Sequence, residues 1–255
     1  MTSVMDADRS RRLDRGELVG SAPSTTSSAY GSRMRLLASG RDADVFEAGS
    51  GKVLRRYRDA AMDATPEAVV MRHVHARGYP VPMVYDVAGP DIVLAHVHGP
   101  TMLEMLMSGA MSPADGAAMT ADLLDLLHAI PAPDDLVGPS RVAVERAADD
   151  VVLHLDLHPM NVLVAPGGPV VIDWCNARRG PAGLDRAVTA LILAQVASGE
   201  LAGLGPGARA MFEALLGLLG PLTHVDEALA YRATDPNMSA DERASLDRAA
   251  ALLTP

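Results

Sequence analysis

Two short apolar runs, Val162-Leu163-Val164 and Val170-Val171-Ile172, flank the turn APGGP. β-Branched runs on either side of a proline-glycine turn predict a hairpin. That hairpin constrains everything around it. Asn161 precedes its first strand and Asp173 ends its second, so an amide oxygen and a carboxylate are brought close together. Asp156 lies shortly upstream in HLDLHPMN, a stretch that Pro159 turns into a loop rather than a strand.

An amide oxygen beside a carboxylate suits Mg²⁺, a hard cation that takes oxygen ligands and shares them with phosphates. Asp156 is then left to orient an attacking hydroxyl and accept its proton. This division of labour is the one by which positioning and charge stabilisation move a γ-phosphoryl group. A zinc hydrolase is the competing reading. His154, Asp156 and His158 alternate, would share one face of a continuous strand, and are types that ligate zinc. Pro159 argues against that strand, and no second clustered histidine motif is present.

Upstream, the pattern is strand, strand, helix, strand, strand. Asp44–Glu47 and Lys52–Arg55 flank the turn AGSG; TPEAVVMRHVHARG has helical spacing, with Val69, Val70, His73 and Val74 on one face and Gly78 as its stop. DIVLAHVHG reads as a strand running into Gly99-Pro100. Downstream the chain turns helical. Ser112 is a candidate N-cap, with Pro113 at the first helical position and Asp115 at the third. A short helix is expected over SRVAVERAAD, and helices over roughly 184–198, 206–219 and 224–252, the last broken near Pro236. Residues 1–32 carry no periodic apolar pattern and read as a flexible lead-in. The expected architecture is therefore α+β and bilobal: a sheet-rich lobe over 33–98 and a mainly helical lobe over 99–255.

Composition narrows the function. A formal charge of -10 disfavours a general nucleic-acid binder and leans towards an aminated ligand. Cys175 is the single cysteine, so no internal disulfide exists, which points to a reducing, cytoplasmic setting. No stretch is long and apolar enough to span a bilayer, so no membrane partner is expected. Lys52 is the only lysine. Any task that usually falls to a lysine passes to it or to an arginine.

HLDLHPMNVLV followed by VVIDW resembles the catalytic-loop and metal-binding signatures of the aminoglycoside phosphotransferase family, which has a protein-kinase-like fold. The resemblance implies Asp156 as catalytic base, with Asn161 and Asp173 as Mg²⁺ ligands. It implies ATP or GTP as phosphoryl donor and a small-molecule hydroxyl as acceptor. VLRR stands where such a protein has its phosphate-contacting lysine, which assigns that place to Arg55, with Glu67 as its helix partner. The backbone of Ala95 to Val97 would meet the nucleotide base. SGRDADVFEAG departs from a glycine-rich GxGxxG loop. With Arg55 in place of lysine, that departure supports an alternative: a catalytically weak or inactive kinase-like binding protein. Asp185 is expected to cap its helix or tie it to the catalytic loop, and His154 to hold loop backbone.

Overall fold

The structure is a computed structural model that describes residues 34–198, 205–236, 238 and 240–253. The expected lead-in over 1–32 lies outside the described residues. The first region is an antiparallel sheet with one helix: β1 (Leu36–Ser39), β2 (Ala43–Gly49), β3 (Lys52–Tyr57), α1 (Thr65–His75), β4 (Val84–Ala88) and β5 (Asp91–Ala95). The sheet order is β1-β2-β3-β5-β4. The β2–β3 turn holds Gly49, Ser50 and Gly51 at φ 71°, 50° and 69°, a left-handed stretch that glycine at two of three positions makes accessible.

The inner face of α1 differs from the expected one. Glu67, Val70, Met71 and Val74 are buried, whereas Val69 is 40% exposed. Positions 67, 70, 71 and 74 follow the 3.6-residue period, and 69 falls outside their stripe. A carboxylate in that stripe demands a buried partner, which proves to lie on β3.

The second region contains α2 (Met102–Ser108), α3 (Pro113–His128), β6 (Val151–Leu153), a 3-10 turn (Pro159–Asn161), β7 (Val162–Ala165), β8 (Gly168–Val171), β9 (Arg178–Gly180), α4 (Ala182–Ser198), α5 (Gly205–Leu219), α6 (Val225–Ala233) and α7 (Ala240–Leu253). Ser112 accepts from the Asp115 N–H at 3.1 Å, the cap read from the sequence. Helix α4 is the hub, packing on α5, α6 and α7. Its Leu184, Ala187, Val188, Leu191 and Ala194 are fully buried, and each such leucine contributes about 1.5–3 kcal/mol of transfer free energy. The expected last helix is two helices, α6 and α7, separated around Pro236.

The helix expected over SRVAVERAAD does not form. Only Val142 and Val144 of its apolar residues pack against the core, and their two-residue spacing suits extended chain. The Asp150 carboxylate also accepts from the Ala147 N–H at 3.3 Å, which fixes a turn there.

Together these elements make a bilobal α+β fold. Among the described residues, no helix is long and apolar enough to cross a membrane. The join between the two regions is pinned to the β7–β8 hairpin. Val164 N–H donates to Pro100 O at 2.8 Å, and Val171 N–H donates to Pro80 O at 2.8 Å. A Cβ on Gly99 would stand 2.4 Å from the Val164 carbonyl oxygen. Gly99→Ala must therefore shift backbone and costs about 1–3 kcal/mol. Gly167→Ala, with open space around it, serves as the comparison. Urea unfolding of the two variants decides, and equal midpoints would refute the close-approach argument.

Candidate active site

The hairpin delivers what its sequence predicts. Val162 pairs with Val171, Leu163 with Val170, Val164 with Pro169 and Ala165 with Gly168. At the open end, the Ile172 N–H donates to Asn161 O at 2.9 Å, so Asn161 and Asp173 are neighbours across it. The Asn161 amide nitrogen donates to Asp156 O at 2.9 Å and faces the Asp156 carboxylate at 3.4 Å. With that nitrogen turned towards the loop, Oδ1 is the atom the amide can offer a cation.

Two non-glycine residues of this assembly sit at positive φ: Leu155 at 61° and Asp173 at 64°. Such conformations cost about 1–3 kcal/mol each and persist only where the surroundings enforce them. Asp185, fully buried on α4, supplies much of that enforcement. Its two oxygens accept from the His154 N–H at 3.0 Å and the Leu155 N–H at 2.7 Å. His128 on α3 stands 3.0 Å away as a third partner. Burial pushes the Asp185 carboxyl upward, but His128 and the His154 amide outweigh it and hold the group below its ordinary value.

His154 braces the same loop from the other side. Its Nε2 lies 3.1 Å from Ile172 O, and its ring meets the edge of Trp174 at 4.8 Å. Burial holds it neutral by lowering its pKa. Its Nε2 is committed to that carbonyl, while the buried Nδ1 has no hydrogen-bond partner. Among the described residues, no three His, Cys, Asp or Glu side chains converge as a metal site. The oxygen donors of Asn161 and Asp173 fit Mg²⁺ instead.

Arg55 joins the two lobes. From β3, its Nη1 donates to Glu67 Oε2 at 2.8 Å and its Nη2 to Asp173 Oδ1 at 2.7 Å. Glu67 also accepts from the Tyr57 hydroxyl at 2.7 Å and from the Trp174 N–H at 3.3 Å. Burial disfavours the charge on Arg55, but Glu67 and Asp173 overcome it and raise its pKa further.

Asp156 carries a strongly perturbed carboxyl. Burial pushes its carboxyl up to about 7, with Arg232 opposing and Asp173 adding to the rise. His158 lies 3.7 Å from it; burial first, then His154 and Arg232, lower that imidazole to about 4.

Residues 115–217 match the family model described as the phosphotransferase enzyme family, APH. Among solved structures, aminoglycoside phosphotransferase APH(4)-Ia aligns at TM-score 0.57 and 19% identity, over 87% of this chain and 93% of that one. A choline/ethanolamine kinase family protein from Mesorhizobium loti aligns at TM-score 0.54 and 17% identity, over 89% and 88%. The amicoumacin kinase hAmiN, solved with AMP-PNP, Ca²⁺ and Ami, aligns at TM-score 0.52 and 14% identity, over 86% and 87%. The chain therefore shares the fold of these phosphotransferase and kinase structures. No curated protein sequence matches it.

Within that fold, the expected site residues fall at the junction of the two lobes or lead up to it. Arg55, Glu67 and Asp173 form one hydrogen-bonded chain, while Asp156 and Asn161 form another beside it. The hinge backbone is partly committed. Ala95 N–H donates to Met83 O at 2.9 Å and His96 N–H to Gly51 O at 2.8 Å, and Val97 lies two residues past the end of β5. Sequence reasoning missed Tyr57, whose hydroxyl reaches Glu67, and a group on α6 and its flanks, Tyr231, Arg232 and Asp235, whose charges bear on Asp156. No linear motif marks them, because separate elements bring them in.

Asp185→Asn removes a charge that holds two strained-loop amides, and the loss is about 2–4 kcal/mol of stability. A carboxyl depressed in the folded state stabilises above its unfolded pKa, and that contribution fades as pH falls below about 4. The wild type should therefore lose stability faster than the variant on acidification. Denaturant midpoints across pH test this, and parallel curves would remove Asp185 from the account.

Proposed function

We propose that this protein is a Mg²⁺-dependent phosphotransferase that moves the γ-phosphoryl group of ATP or GTP to a hydroxyl of a small molecule. The observation that carries the reading is the bridge from Arg55 to both Glu67 and Asp173, with Asn161 across the hairpin from Ile172, the residue before Asp173, and Asp156 beside it. A guanidinium, two oxygen donors and a perturbed carboxyl in one neighbourhood support this reading.

In this reading residues 33–98 form the nucleotide lobe and 99–255 the catalytic and acceptor lobe. The backbone at Ala95 and Val97 borders the base, while Arg55, oriented by Glu67, faces the phosphates. Asn161 and Asp173 would hold Mg²⁺, which supplies charge compensation on the transferred group. Asp156 aligns the acceptor hydroxyl and takes its proton; a carboxyl near 7 is a better proton acceptor than an ordinary aspartate. The Asp185 clamp keeps that carboxylate in place.

A second reading, a kinase-like protein that binds without efficient turnover, has its own observation. Arg55 occupies Asp173 Oδ1 at 2.7 Å, so an incoming cation meets a competitor at that ligand. Titration calorimetry with ATP and GTP, with and without Mg²⁺, separates the outcomes. Mg²⁺-dependent binding is expected, and its absence in folded protein sinks the phosphotransferase reading. Asp156→Asn should then keep nucleotide binding and lower acceptor-dependent turnover by about 10²–10⁴-fold. Equal turnover in wild type and variant would remove Asp156 as the base.

Arg55→Lys tests the departure at β3. An ammonium is a compact point charge that cannot reproduce the planar fork across Glu67 and Asp173. The variant is expected to unfold at lower denaturant and to bind Mg²⁺ more tightly, because Asp173 is released. Unchanged Mg²⁺ affinity would show that Arg55 and the cation do not compete.

A further inference from the structure

Three arginines gather on the helical-lobe side of Asp156, and one carboxylate serves two of them. Arg232 on α6 is buried; its Nε and Nη2 donate to Gln195 Oε1 at 3.3 and 3.1 Å, and its Nη1 stands 3.6 Å from Asp235. Arg141 lies over the Tyr231 ring at 4.9 Å and reaches to 3.4 Å from the same Asp235 oxygen. Its buried Nη1 makes no hydrogen bond at that distance. Arg178, just past the metal-bearing turn, donates to the carbonyls of Cys175 and Ala177 at 3.3 and 2.7 Å; no ion pair forms on it among the described residues. Arg178 pairs with Leu153 across β6 and β9, three residues before Asp156, and the Arg179 N–H donates to Val137 O at 3.0 Å, which brings the segment bearing Arg141 alongside.

Among the described residues, this cluster sets three guanidiniums against the Asp235 carboxylate. Half-buried guanidiniums with spare donors select carboxylate or phosphate, which they grip through paired charge-assisted hydrogen bonds. A polycationic acceptor would face repulsion there.

We propose that the acceptor carries an anionic group, a carboxylate or a phosphate, which docks on Arg141 and Arg178 over the buried Arg232 while its hydroxyl faces Asp156. The inference rests on the phosphotransferase reading for the hydroxyl's fate, but the anion preference is measurable by itself. Nucleotide phosphates are the competing anion, so the donor site must be filled in one arm.

Calorimetric titrations of gluconate, glucose 6-phosphate, glucose and glucosamine, each with and without saturating Mg²⁺ and a non-hydrolysable ATP analogue, provide the test. The two anions are expected to bind at least about tenfold tighter than glucosamine in both arms, with glucose between them. Comparing gluconate with glucose 6-phosphate tells carboxylate from phosphate. Arg178→Gln and Arg141→Gln should each remove most of the preference, and exposed Arg209→Gln none; unfolding curves exclude variants that do not fold. Equal binding of all four probes, tighter binding of glucosamine, or a preference that survives both variants overturns the proposal. A preference lost once the analogue is bound also overturns it, because the arginines then serve the donor. Failure of the analogue to bind refutes the phosphotransferase reading, while the nucleotide-free arm still decides the anion preference.

Discussion

The carboxylate of Asp185 is the contact on which the rest of the site depends. It is fully buried, yet it sits within reach of two consecutive backbone amides and His128. A buried charge is tolerated only when its acceptor capacity is filled. Here the filling groups are the amides of His154 and Leu155, the latter at positive φ. The interaction works in both directions. The loop satisfies a charge that the core would otherwise reject, and the charge enforces a backbone that a leucine would otherwise avoid. Asp156 is the next residue, so its direction is set by hydrogen bonds it does not itself make.

The same logic couples the two lobes. Glu67 is buried on α1, and its partners are Arg55 and Tyr57 from β3 and the Trp174 amide from beyond β8. Arg55 then continues to Asp173. One acidic side chain in the small lobe thus touches both its own sheet and the turn that bears the candidate metal ligand. Removal of Arg55 or of Glu67 leaves its buried partner without its main counter-charge, which is the costly way to break such a pair. The lobes are held by polar chains at the cleft and by backbone bonds at the hinge, where Gly99 lets the chain lie against Val164.

Much of this was legible in the sequence. The β7–β8 hairpin followed from two apolar runs and a turn, and it set Asn161 across from Ile172, the residue before Asp173. The Ser112 cap and the glycine-rich β2–β3 turn were equally local. Where neighbours decide, the reading went astray. Val69 belongs to an apolar run, but the face of α1 is set by which residues meet the sheet. SRVAVERAAD has helix formers, yet Asp150 fixes a turn and only Val142 and Val144 find apolar cover. Tyr57, Arg232 and Asp235 could not be read at all, because their relation to the site exists only after distant elements pack.

The substitution at Arg55 shows why a local departure need not be local in effect. A lysine presents one ammonium on a flexible stem, whereas a guanidinium presents a fork whose two ends can hold two acceptors at fixed separation. In this protein the two ends are both used, on Glu67 and on Asp173. The fork therefore makes the interlobe link stronger in the nucleotide-free protein and makes the Asp173 carboxylate less available to a cation. A divalent ion arriving with a nucleotide brings its own phosphate oxygens, which can take over the released end of Arg55. On the proposed reading, donor binding and metal binding are then one exchange: Asp173 passes from arginine to cation as the arginine passes from carboxylate to phosphate. The Glu67 contact holds the other end of Arg55 throughout.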